Sequence, residues 1–137
     1  MKFFNFLKRE QAVIIPVDPG LNDEERQQLC LSLKQSVDNA LLRNTRFNRS
    51  SNGKVFADTK RPKTKFFKNG SGYTFLVYHP EDEHLIGGGA MMQIDVSSHQ
   101  LHLFNAPYGN DVFAKIENVE GFRSMLVNKA ENLSRFG

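Results

Sequence analysis

YTFLVYHPEDEHLIGGGAMMQIDVSSHQLHLF, residues 73–104, decides the fold class of this chain. Tyr73–His79 is rich in aromatic and β-branched residues, which predicts a strand with large side chains on both faces. Pro80 ends it, and Glu81-Asp82-Glu83 reads as a polar turn. Ala90–Val96 and Leu101–Phe104 are two further short strands, and Ser97-Ser98-His99-Gln100 between them suits a hairpin loop. Period two then puts Met92, Ile94 and Val96 on one face. The glycines Gly87-Gly88-Gly89 match no phosphate cradle. A Walker loop needs G-x-x-x-x-G-K followed by Ser or Thr, and a dinucleotide site needs a strand before the glycines and a helix after. Here a turn precedes and a strand follows, so backbone roles are expected: positive φ, a bulge, or close approach of another backbone.

Helices flank these strands. Asn22 can cap, and Glu25 three residues on can reach back to its N–H, a capping box. Asp23 and Glu24 sit where the helix macrodipole favours negative charge. Leu29, Leu33, Val37, Ala40 and Leu41 recur at helical spacing, so an amphipathic helix is predicted over residues 23–44. Phe122, Met125, Leu126, Ala130 and Leu133 predict a second helix near the C-terminus, and residues 111–119 fit either a helical piece or an extended one. Ala12–Val17 is β-branched but holds Pro16, which suits an edge strand or an extended arm over residues 1–20. Residues 45–72 are basic and loop-rich, with short extended pieces at Val55–Ala57 and Lys65–Lys68 and a turn at Asn69–Gly72. The expected architecture is α+β in one domain spanning 1–137: an N-terminal amphipathic helix, a curved antiparallel sheet of about four strands, and a C-terminal helix.

The 137 residues suit a single core, and twelve Phe supply large apolar side chains to fill it. The one cysteine, Cys30, cannot form an internal disulfide and reads as an inert thiol on a helix. The run Phe3–Leu7 is broken by Asn5 and stopped by Lys8 and Arg9, too short for a signal h-region of about 7–15 residues. No stretch approaches the ~18 apolar residues of a membrane span. A cytoplasmic protein is the expectation.

Charge is concentrated. Between Arg43 and Lys68 lie nine bases and one acid, Asp58, so that segment carries +8. The rest holds nine bases and fourteen acids, or −5, which together give the chain's +3. Three readings of this segment stay open: a solvated edge, where lysines deter strand pairing; a docking site for an acidic protein; or a single-stranded nucleic-acid site, with phosphates on the cations and bases on the interleaved rings. A protein partner would meet Arg61, Lys63, Lys65 and Lys68 together with the acidic turn Glu81, Asp82 and Glu83. Nucleic acid would use Arg61, Lys63, Lys65, Phe66, Phe67 and Lys68.

No metal, cofactor or catalytic residue is assigned. His79 and His84 flank the acidic turn, but no cysteine pair and no H-E-x-x-H helix accompanies them. His99 and His102 are three apart, which sends them to opposite faces of an extended chain. No G-x-S-x-G is present. The expectation is a non-enzymatic protein, with a small enzyme of unassigned chemistry as the third reading.

The order of elements in 73–104 resembles one family. An aromatic strand (Tyr73–His79), a polar turn, the cluster Gly87-Gly88-Gly89, then Met91-Gln93-Ile94-Asp95 turning back into Leu101–Phe104 is similar to bacterial immunity proteins with a nuclear-transport-factor-2-like fold. The chain departs from that family in having Phe75 and Tyr78 where tryptophan is frequent, and Val96-Ser97-Ser98 where a lysine-rich turn is usual. The resemblance implies a stoichiometric inhibitor that silences a cognate toxin without catalysis. It carries over no binding residues.

Overall fold

The structure is a computed structural model, and it describes residues 19–45, 61–80, 90–104 and 111–133. Helix α1, Asp23–Arg43, starts on the expected capping box. The Glu25 N–H donates to the Asn22 side chain at 2.8 Å, and the Asn22 N–H donates to the Glu25 carboxylate at 2.9 Å. Three acids in the first turn complement the macrodipole. The face made of Cys30, Leu33, Val37, Ala40 and Leu41 is buried, as the periodicity requires.

Strands β1 (Lys63–Asn69) and β2 (Gly72–Tyr78) form a hairpin in which Asn69 faces Gly72. The two-residue turn needs positive φ at its first position, and Gly70 supplies it at 62°. Gly72 is required for space: a Cβ there would lie 2.5 Å from the Val96 carbonyl oxygen. Strand β3 (Ala90–Val96) pairs with β2, and the register slips between Val77 and Tyr78, leaving Met91 as a bulge. Strands β4 (Gln100–Phe104) and β5 (Val112–Lys115) complete an antiparallel meander in the order β1-β2-β3-β4-β5. A 3₁₀ turn, Ile116–Asn118, leads into helix α2, Val119–Asn132.

The α+β class, both helices and the antiparallel sheet follow the sequence expectation, and among the described residues the sheet has five strands where about four are expected. The ambiguous residues 111–119 split: Val112–Lys115 is a strand because it pairs in register with Gln100–Leu103, and a four-residue run has too few periods to declare itself alone. The loop-rich stretch 45–72 likewise contains a full seven-residue strand, β1, at its end. Ala12–Val17, Val55–Ala57 and Gly87–Gly89 lie outside the described residues.

One core cluster joins α1 to Tyr73, Phe75 and Val77 of β2, to Met92, Ile94 and Val96 of β3, to Leu101 and Leu103 of β4, and to Phe122, Leu126 and Ala130 of α2. By the registers, all the strand members lie on one side of the sheet. Both helices therefore cover the same face. The Thr64 hydroxyl of β1, on that face too, hydrogen-bonds Asp38 of α1.

Asn44, fully buried just past α1, locks the two helix ends together. Its side-chain amide donates to the Ala130 and Leu133 carbonyls at 2.8 and 2.9 Å, and Ala130 also accepts the Leu133 N–H at a longer 3.4 Å. Replacing Asn44 by Ala removes both bonds and leaves the Ala130 carbonyl with only its longer bond from Leu133 N–H, so a loss of about 1–2 kcal/mol in urea-denaturation stability is expected, with the α1 backbone cap untouched. A loss below about 0.5 kcal/mol would mean that water serves those carbonyls equally well.

Candidate functional site

Alternation along β1 divides the basic segment between two faces. Lys63, Lys65, Phe67 and Asn69 point away from the helices; Thr64, Phe66 and Lys68 point toward them. Lys63 and Lys65 are exposed, and Phe67 keeps 37% of its surface in solvent. The Lys65 ammonium lies 5.9 Å from the ring centre of Tyr78 on β2, within cation–π reach.

Next to this row runs a polar strip. Asn69 donates to the Thr74 hydroxyl at 3.2 Å, and Thr74 donates to the Asp95 carboxylate at 2.7 Å. Gln93 donates to the same carboxylate oxygen at 3.1 Å. Asp95 is thus the one strand carboxylate on this face among the described residues, and neighbouring donors already occupy it.

Beyond the strip, β4 and β5 bring three rings together. The His102 ring stacks on Phe113 at 4.0 Å and 19°, and meets Phe104 at 3.7 Å. Asp111 sits 3.3 Å from His102 Nε2 and fixes that ring. Phe113 is 58% exposed, and Lys115 is exposed two residues further on the same side. Among the described residues, the face opposite α1 and α2 therefore carries lysines at one margin, a satisfied polar centre, and an aromatic platform with a lysine at the other.

The remaining sequence-derived candidates go elsewhere. Lys68 lies on the helix side, where its ammonium pairs with Asp23 of α1 at 2.9 Å. The Tyr73 hydroxyl donates to both oxygens of that carboxylate, at 3.0 and 3.1 Å. Phe66 stacks against Tyr73 and is partly buried against the core, so its face is not open to a base. Arg61 precedes β1 and is partly buried. Arg43 bridges the helices through Glu131 at 2.8 Å. Glu81, Asp82 and Glu83 lie outside the described residues.

The sequence by itself does not mark His102, Phe104 and Phe113 as a group. The available signal was the alternation in Gln100–Phe104, which sends His102 and Phe104 outward. Phe113 joins them only through the β4–β5 register, in which His102 faces Phe113.

Cys30 has no access to solvent, and burial, aided by the charge of Asp95, pushes its thiol up to about 12. It cannot supply a thiolate at neutral pH. Among the described residues no three His, Cys, Asp or Glu side chains come together to hold a metal, and no helix is long and apolar enough to cross a membrane. Comparison of the chain with protein families, with curated proteins and with solved structures finds no match.

The Lys68 and Tyr73 hydrogen bonds hold the Asp23 carboxyl below its ordinary 3.8, and Asp23 holds Lys68 above its ordinary 10.5. A depressed carboxyl stabilises the fold above its unfolded value and loses that effect as pH falls through the folded one. A raised lysine stabilises below 10.5 and loses the effect on titrating above it. Asp23→Asn should therefore lower the urea midpoint between about pH 5 and pH 9, and the difference should shrink as pH falls below 3.8 and vanish once the folded carboxyl is protonated. A constant difference across that acid range would show that the charge on Asp23 is not what matters.

Proposed function

We propose that this chain is a non-enzymatic protein-binding module that takes an acidic partner on the face of its sheet opposite α1 and α2. The observation that carries this reading is the juxtaposition of Lys63, Lys65 and exposed Phe67 on β1 with exposed Phe113 and Lys115 on β5, all on one side. Exposed rings that a partner desolvates act as anchors, and the lysines beside them, at both margins of this face, steer encounter and orientation. Covering this face blocks whatever part of the partner meets it. Occlusion of this kind is the mode of an immunity-type inhibitor, and the likeness of residues 73–104 to that family is what supports the inhibitor half of the reading, with a toxin as partner. Cytoplasmic placement belongs to the same proposal.

The test begins with the product of the neighbouring open reading frame, purified and assayed alone and with this protein. A stable one-to-one complex that silences its activity is expected. Lys63→Glu/Lys65→Glu should weaken that complex by about tenfold or more, mainly in the on-rate and with a flattened salt dependence. Phe113→Ala should weaken it through the off-rate. Wild-type affinity in both variants would remove the face opposite α1 and α2 from the interface.

One observation favours a second reading. Phe113 backs onto His102 with its other side open, the arrangement of a base-stacking platform. Under that reading a single-stranded oligonucleotide binds with a steep salt slope. The slope should fall by about 0.7 for each of Lys63 and Lys65 changed to Ala. No binding at ~50 mM salt ends it.

A further inference from the structure

We infer that the partner's contact includes an extended acidic segment that adds to β1 as a further strand of the sheet. This rests on the protein-binding reading and specifies how the basic edge is used. Strand β1 is an outer strand of the described sheet, seven residues long, with β2 on one side and no described strand on the other. The opposite margin, β5, has four residues, and so short an edge is a poor template.

The phase of the β1–β2 ladder identifies the open groups. Residues flanking a two-residue turn form a hydrogen-bonded pair, here Asn69 with Gly72, and the pairs then alternate. Phe67 and Lys65 therefore spend their N–H and C=O groups on Thr74 and Leu76. Thr64, Phe66 and Lys68 direct theirs outward. An antiparallel strand added there would bond to those three residues. It would place its own side chains opposite Lys63, Lys65 and Phe67 at non-hydrogen-bonded positions, where Cα atoms approach to about 4.5 Å and side chains meet most closely.

Charge then selects the occupant. Two copies of β1 pairing edge to edge would oppose lysine rows on the same face, which is destabilising. A strand with Glu or Asp at alternate positions converts that repulsion into two cross-strand ion pairs. Its third side chain on that face would lie over Phe67, which is 37% exposed. The lysines that guard the edge against self-association thus admit a strand of opposite charge.

Backbone amide exchange on the isotope-labelled full chain tests this. The probe is a synthetic nine-residue peptide alternating Glu with Val or Thr. The control is the same peptide with its alternate amides N-methylated, so that charge is kept and pairing is lost. In the free protein, the amides of Thr64, Phe66 and Lys68 should exchange fast and those of Lys65 and Phe67 slowly. Peptide at millimolar concentration should slow the first three by about tenfold or more, the methylated control should not, and Lys63→Glu/Lys65→Glu should abolish the effect. Three outcomes overturn strand addition: protection of those three amides in the free protein, which means the edge is already filled by this chain or a second copy; perturbation around Lys63 and Lys65 without amide protection; or no response to the peptide at all. In the second case the docking face stands and only the mode fails. The functional reading itself falls separately: if no complex forms with the purified partner, or if the charge reversal and Phe113→Ala both leave that complex at wild-type affinity.

Discussion

Both helices lie on one face of the sheet, so the pleat of each strand assigns every side chain either to the core or to the surface. Phe66 and Phe67 show the consequence. They are adjacent in the chain, yet one stacks on Tyr73 against the core and the other faces solvent beside Lys65. A one-residue slip in β1 would exchange the two and bury Lys65 in place of Phe66. Turn and bulge chemistry protects that register, through the positive φ of Gly70 and the close passage of Gly72 under the Val96 carbonyl.

Polar contacts then fix how the helices lie on the sheet. At the start of α1, Asp23 gathers Lys68 and Tyr73; midway, Asp38 receives Thr64; at its end, Asn44 takes up the last carbonyls of α2. Arg123 of α2 reaches Ser32 and Ser36 of α1, at 3.0 and 2.9 Å from their hydroxyls. These bonds draw charged groups to the helix side and the rim. On the other face the lysines Lys63, Lys65 and Lys115 remain without an acidic partner among the described residues, because Asp95 is already engaged by Thr74 and Gln93. The face thereby acquires its positive character from where the acids went, as much as from where the bases are.

Much of this fold was legible before any coordinates. The capping box at Asn22 and Glu25, the helical spacing from Leu29 to Leu41, and the shared face of Met92, Ile94 and Val96 are local patterns, and each reappears at its expected place. Strand β5 was not legible, since four residues of alternating burial become a strand only by pairing with β4. The candidate site was legible in part. Lys63, Lys65 and Phe67 could be picked from composition and alternation, whereas the association of His102 with Phe113 depends on a cross-strand register. Lys68 and Phe66 looked equivalent to their neighbours in the chain and turned out to belong to the other face, for a partner 45 residues away in one case and the core in the other.

The sequence alone determined the α+β class, the two amphipathic helices, the strongest strands and a basic segment of +8, because these depend on short-range periodicity, capping and charge that any window of the chain displays. Tertiary structure alone decided which of those bases remain available to a partner and which rings surround them. That choice depends on which side of the sheet the helices cover and on the register between strands, and neither is encoded in any single segment: both follow from the collective burial of one face.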